Sequence, residues 1–416
     1  VRVTRRALIQ SAAGAAALAA LPARSRAMSI APQRWDVVVV GAGVFGAWTA
    51  WHLQQRGKRV LLLDAHGPAH ARASSGGESR MTRGSYGPDE IYTRMARDSL
   101  AHWKWLSQRS GLPIFHQLGV LFFFGQREKY VDDTLRVHEK LKLPTRVLKR
   151  SELQERFPQV RWDDVALGIF EPEFGALMAR RAVQTLVQEF RASGGEYRAA
   201  EVAPPVFGSE APPDVRTVSG NPLPGERFVF ACGPWLPKLF PAELAGRIFP
   251  TRQEVFFLAP PAGSEAFGPG KLPGWADFNA GDIYYGFPDL EARGFKIAHD
   301  RHGPAIDADS GDRVASAEGL ADVRGYLARR FPALASAPCV ESRVCQYENS
   351  ANGDLLVDRH PVAQNVWLVG AGSGHGFKHG PEVGRMAAEL VLADSAATEP
   401  RFSLATKSRQ QNRSVH

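Results

Sequence analysis

Cysteine is scarce in this chain: Cys232, Cys339 and Cys345 are the only three among 416 residues, and none has C-x-x-C spacing. That scarcity excludes a disulfide framework and a thiolate zinc site, and leaves room for one disulfide at most. Long apolar runs are also lacking. The Ala-rich stretch from Ala12 to Leu21 falls short of the roughly 20 residues a bilayer-spanning helix needs, so the mature chain is expected to have no membrane span. Nor is there a real excess of one charge along the chain. The formal +8 is concentrated in the first 27 residues, which carry five arginines and no acid; the remainder holds 46 basic and 43 acidic residues, net +3. A clustered basic footprint for nucleic acid is therefore not expected. What remains is an ordinary globular composition, 44% hydrophobic and 23% charged, long enough to bury more than one core.

The first segment has the anatomy of an address. Twin arginines, Arg5 and Arg6, follow Thr4; the Ala-rich stretch comes next; Ser25-Arg26-Ala27 supplies a small-x-small cleavage site. The pattern is similar to a twin-arginine (Tat) signal peptide covering residues 1–27. It implies export by the Tat machinery and a periplasmic or secreted location.

From Trp35 the sequence reads WDVVVVGAGVFGAWTAWHLQQRGKRVLLLDA: a buried strand, a glycine turn, a helix and a second buried strand ending at Asp64. Gly41, Gly43 and Gly46 fit G-x-G-x-x-G. The first permits the tight turn, the second lets backbone approach a pyrophosphate, and the third lets helix pack on strand. Asp64, 23 residues after Gly41, is placed to accept hydrogen bonds from a ribose hydroxyl, which disfavours NADP. These residues predict a dinucleotide-binding unit and leave FAD and NAD both open.

Further along, Glu90–Gln108 and Ala179–Ala192 read as helices, Leu118–Gly125 and Arg227–Ala231 as strands, and the Pro-rich passage Ala203–Gly225 as a loop or irregular hairpin. Short alternating runs at Glu254–Leu258, Ile283–Phe287 and Gly294–Ala298 predict an antiparallel sheet. Asn365–Gly370 reads as one more buried strand, followed by AGSGHGFKHGPEVG and a helix from Gly384 to Ala393. Distant pieces are thus expected to complete the dinucleotide fold.

Five ordered stretches, the glycine turn, ESRMTRGSYG, IYYGFP with GFKIA, RVCQY, and GAGSGHGFKHGPEVG, together resemble the monomeric sarcosine oxidase family of flavoproteins. Relatives in that family include N-methyltryptophan and pipecolate oxidases. The resemblance implies an α/β fold with an α+β second domain: a Rossmann-like FAD-binding domain (33–118, 178–237 and 340–395) interleaved with an antiparallel-sheet substrate domain (119–177 and 238–339), then a tail at 396–416. The cofactor it implies is FAD, linked covalently through Cys345, with Arg80, Gly374, His375 and Gly376 beside it.

By the same resemblance, Arg83 and Lys378 clamp a substrate carboxylate, an arrangement whose charge-assisted hydrogen bonds would fix an amino acid in place. Lys296 corresponds to the lysine that promotes reaction of the cofactor with dioxygen, and Tyr285 and Tyr347 to aromatic walls of the substrate cavity. The implied activity is oxidation of the C–N bond of a secondary-amine amino acid to an imine, with dioxygen reduced to hydrogen peroxide. Competing readings are a dehydrogenase of the same fold that feeds a quinone or carrier, and a flavin-holding protein without turnover. Two departures stand out. Gly76 occupies a place where the family's sarcosine-active member has histidine, and the histidine expected shortly after Lys296 has two candidates, His299 and His302.

Overall fold

In a computed structural model of the protein, residues 34–207, 214–279, 283–301, 303–393 and 399–410 are described; the leader-like residues and His302 lie outside them. The strand Trp35–Val40 ends in four consecutive valines, Val37 to Val40, because both of its faces are covered there. It lies at the centre of a six-stranded sheet. Val60–Asp64 and Gly225–Phe230 flank it in parallel, Glu196–Ala199 and Val366–Gly370 extend the two sides, and Leu356–Arg359 closes one edge antiparallel. Strands from four distant parts of the sequence therefore build one sheet, parallel except at its Leu356–Arg359 edge.

Helices pack on this sheet and on one another through periodic apolar faces. In Glu90–Arg109 the buried positions Tyr92, Met95, Ala96, Ser99, Leu100, Trp103 and Leu106 recur at helical spacing. Ala179–Ala192 forms with the bounds expected from sequence. The C-terminal helix runs Gly380–Leu392, starting four residues before the expected Gly384, because Pro381 in its first turn lacks only an N–H that the helix would leave unpaired.

An eight-stranded sheet forms the second layer. Its order is Cys339–Ser350, Ile248–Leu258, Phe295–His299, Tyr284–Phe287, Gly274–Asp277, Val120–Phe124, Leu167–Glu171 and Arg146–Lys149. It is antiparallel except where Gly274–Asp277 runs parallel to Val120–Phe124. One face is sealed by the helix Ala317–Arg330 over a core that includes Phe256, Trp275, Tyr284, Phe295 and Ile297. The alternation of a strand then sends Lys296 and Tyr285 to the opposite face. On the described parts of the Pro-rich passage 203–225, isolated bridges join Val202 with Thr217, Val206 with Asp214 and Arg216 with Pro222, in keeping with the irregular hairpin expected there. No helix among the described residues is long and apolar enough to cross a membrane.

Candidate active site

The glycine turn is built for close approach. Gly41 has φ +102°, and a Cβ there would meet the carbonyl oxygen of Ala231 at 2.4 Å. At Gly46 a Cβ would meet the Gly41 carbonyl oxygen at 1.8 Å, so only glycine lets the helix Val44–Gln55 start this near the strand end. Gly43, by contrast, faces open space with only Ser75 Oγ near, at 3.5 Å. The helix carries no side-chain cap and no acid in its first turn. Its N–H groups and dipole therefore face a cleft and suit a phosphate group.

That cleft has a volume of about 470 Å³. Gly41, Gly43, Asp64, Arg80, Gly374, Gly376, Cys345 and Tyr347 all line it. Asp64 accepts from the backbone N–H groups of Ala42 (2.8 Å), His66 (2.9 Å) and Gly67 (2.9 Å). A carboxylate has about four acceptor directions, so room remains for a ribose hydroxyl. Trp235, with His66 and His70 each 6.1 Å from its ring, makes an aromatic wall at the same end. The residues present thus fit a dinucleotide. His375 is placed differently: its ring meets Tyr86 Oη at 3.3 Å and the Gly353 carbonyl at 3.0 Å, and it does not line the cleft.

Cys345 sits on the strand Cys339–Ser350, where Arg80 Nη2 lies 3.3 Å from its sulfur and 2.8 Å from the Ser74 carbonyl. All three thiols are free, so the single disulfide that composition allowed does not form. Gly76 has a steric cause: a Cβ there would lie 1.9 Å from the His70 carbonyl oxygen, which leaves no space for an imidazole.

Arg83 and Lys378 come together through Tyr86. The Arg83 guanidinium lies 3.9 Å from the Tyr86 ring centroid, and Lys378 Nζ donates to Tyr86 Oη at 2.7 Å and to the His375 carbonyl at 2.6 Å. Both cations are more than nine-tenths buried, at 7% and 4% exposure. His379 Nε2 is 2.8 Å from the same phenol oxygen; burial, then the Lys378 charge, push its pKa well below the usual value, so it is neutral. Tyr86 is thus a hub that sequence reading passed over, although it lies inside the quoted ESRMTRGSYG stretch.

Lys296 is buried and donates to the Ser79 carbonyl at 2.6 Å, with Nζ 5.8 Å from the Tyr285 ring centroid. Burial, then the Arg80 charge, pull its pKa well below that of a solvated lysine. Tyr285 is hydrogen-bonded to Tyr347, and Tyr347 Oη donates to Asp300 Oδ1 at 3.0 Å. Burial and the Asp300 charge push Tyr285 up to about 12 and Tyr347 well above its ordinary value, so both phenols are neutral donors. His299 faces away. It stacks on Tyr284 at 4.2 Å and pairs with Asp322 at 2.9 Å on the covered side of the sheet. The period-two alternation that began at Lys296 could have assigned position 300, and not 299, to the cleft side.

A parallel sheet with a glycine-turn dinucleotide cleft, joined to an antiparallel sheet bearing a buried lysine and paired tyrosines, defines a nucleotide-cofactor oxidoreductase. The chain belongs to the DAO family of FAD dependent oxidoreductases, whose pattern matches residues 36–390. It is 30% identical over 373 residues to the peroxisomal sarcosine oxidase of Homo sapiens, covering 86% of this chain and 92% of that one. It is 27% identical over 374 residues to the N-methyl-L-tryptophan oxidase of Salmonella newport, covering 89% and 97%. The crystal structure of L-proline dehydrogenase from P. horikoshii shares the fold, with TM-score 0.77 at 21% identity, covering 90% of this chain and 97% of that one. The protein is an FAD-dependent oxidoreductase acting on a CH–NH group.

Proposed function

We propose that the protein oxidises a secondary-amine amino acid, such as an N-methyl amino acid or a cyclic imino acid, to its imine and passes the electrons to dioxygen. The observation that carries this reading is the convergence of Arg83 and Lys378 on Tyr86. Two buried cations beside one phenol supply the charge and the donors a carboxylate requires, whereas a simple amine brings no anionic group to either. FAD, when bound, supplies the two-electron acceptor. Arg83 and Lys378 hold the carboxylate, while Tyr285 and Tyr347 contribute neutral hydroxyls. The positive charge of the clamp favours loss of the substrate nitrogen's proton after binding, which frees its lone pair.

Lys296 supports the oxidase reading, because a fixed cation stabilises the negative charge that forms on dioxygen as it accepts an electron. Cys345, with Arg80 at its sulfur on the cleft wall, is our choice for a covalent link to the cofactor. Export by the twin-arginine route rests on the features of residues 1–27 alone.

A panel of sarcosine, other N-methyl amino acids, pipecolate and proline, followed by peroxide release, tests the reading. Peroxide from at least one of them is expected. Reduction of an artificial dye without peroxide would instead establish the dehydrogenase, and no reaction with any member would remove the secondary-amine class.

A further inference from the structure

We infer that Asp300 is the anionic counterpart of the clamp: it receives the cationic nitrogen of a dipolar substrate whose carboxylate is held by Arg83 and Lys378. This inference rests on the clamp reading above and adds to it the charge that the other end of the ligand must carry.

The strand Phe295–His299 fixes the geometry. Its pairing with Tyr284–Phe287 sets Tyr285 opposite Ala298 and Phe287 opposite Lys296, so both partners of each pair share a face. Asp300 continues that alternation one step past the strand, anchored by its own N–H to the Ile283 carbonyl at 2.7 Å. Its carboxylate then takes the Tyr347 hydroxyl, and Tyr347 lines the cofactor cleft. Asp300 is therefore carried on the same sheet face as Lys296, next to the two phenols.

The charges around it explain why an acid there matters. Arg80, Arg83, Lys296 and Lys378 are all cations of this site, and three carboxylates act on the first three: Glu78, Glu171 and Asp300. Glu78 is occupied by Arg293 and Arg343, each at 2.9 Å. Glu171 is occupied by the Gly84 N–H at 2.8 Å and by the Ser85 hydroxyl. Asp300 has the Tyr347 hydroxyl and, among the described residues, no ion pair. Its charge nevertheless reaches Arg83 and both phenols. A partly buried carboxylate with one neutral donor retains acceptor directions and unspent charge. A dipolar ligand sets its carboxylate on the clamp and its cationic nitrogen against Asp300, while a plain anion places its uncharged end against a carboxylate.

Two pairs of isosteres that differ in charge alone test this, because a quaternary nitrogen has no lone pair and is not oxidised. The short pair is trimethylammonioacetate and 3,3-dimethylbutanoate; the long pair is 4-(trimethylammonio)butanoate and 5,5-dimethylhexanoate. Dissociation constants come from the change each ligand produces in the flavin absorbance of the holoenzyme. The wild type is expected to prefer the ammonium-bearing member of at least one pair. Preference in the short pair means the reacting nitrogen itself faces Asp300, and preference in the long pair means a side-chain cation does.

Asp300→Asn, which keeps the Tyr347 hydrogen bond, should cut that preference by about tenfold or more, and Asp300→Glu should retain most of it. An unchanged preference in Asp300→Asn, or no preference in the wild type, overturns the inference while leaving the clamp standing. If instead the carbon analogues, which lack the ammonium, bind equally well to Arg83→Ala and wild type, the clamp reading itself fails and the inference falls with it.

Discussion

Lys378 Nζ donates to Tyr86 Oη at 2.7 Å, and the same phenol carries the Arg83 guanidinium over its ring at 3.9 Å. One tyrosine therefore sets the separation of the two cations on which substrate binding is proposed to depend. Tyr86→Phe keeps the ring, and with it the platform for Arg83, but removes the oxygen that holds Lys378 and His379. The expected result is a rise in KM of about tenfold with a smaller change in kcat, since a mispositioned ammonium weakens carboxylate binding before it affects the reacting bond. Arg83→Ala should cost more, because it removes a charge-assisted fork. Steady-state kinetics on the best member of the substrate panel decides between the two patterns.

Cys345 and Arg80 give a second outcome to check. With Arg80 Nη2 3.3 Å from the sulfur, the thiol sits at the cleft wall. If the cofactor is linked there, acid-precipitated wild-type protein stays yellow and fluorescent, and Cys345→Ser releases all flavin into the supernatant. Yellow precipitate from Cys345→Ser would move the link elsewhere; the other cleft cysteine, Cys232, is the poorer nucleophile, since burial pushes its pKa well above the usual thiol value.

Much of this arrangement was legible in the sequence. The strand, turn, helix and acid from Trp35 to Asp64 are contiguous, and their spacing alone dictates a dinucleotide crevice. Lys296, Arg83 and Lys378 emerged only through family resemblance, because isolated cations have no periodic signature. Tyr86 and Asp300 were missed for a related reason. Tyr86 gains its role from one segment nearly three hundred residues away, at Lys378 and His379. Asp300 is one residue past its strand, where alternation is easily abandoned. His299 drew attention as the residue type expected there, yet stacking on Tyr284 and pairing with Asp322 turn it to the covered face.

Glu348 is a buried acid whose burial outweighs two backbone hydrogen bonds, from Ala371 and Gly372, and pushes its pKa up from 4.5 to about 8. The folded state therefore binds a proton that the unfolded chain has released between those values. Its contribution to stability is fully present below about pH 4.5, is lost as pH rises towards 8, and is constant above that. The slope in the window is about 1.4 kcal/mol per pH unit at most. Glu348→Gln removes the titration. Thermal melts should show the variant gaining on wild type from pH 5 to pH 8, with a level difference beyond; parallel curves across that range would mean Glu348 ionises as freely folded as unfolded.

Lys296 offers the sharpest separation of roles, because its chemistry depends on when charge appears. Before electrons reach dioxygen there is no new anion for an ammonium to stabilise, so Lys296→Met should leave reduction by substrate nearly unchanged. During transfer to dioxygen the anion forms beside it, and losing one preorganised partner costs on the order of a hundredfold in rate. The buried setting adds a pH test. Burial and Arg80 pull the Lys296 pKa well below that of a solvated lysine, so its charge is lost on raising pH sooner than a surface lysine would lose it. The wild-type dioxygen step should therefore slow as pH rises through that lowered pKa, whereas Lys296→Met should be slow at every pH and show no such fall. Arg83→Ala serves as the opposite control, impairing reduction while sparing the dioxygen step, since a carboxylate clamp has no task after the product departs. Stopped-flow absorbance resolves the two half-reactions. If Lys296→Met reacts with dioxygen at the wild-type rate, the lysine is not the activating cation, and transfer to a quinone or carrier becomes the better reading of this chain.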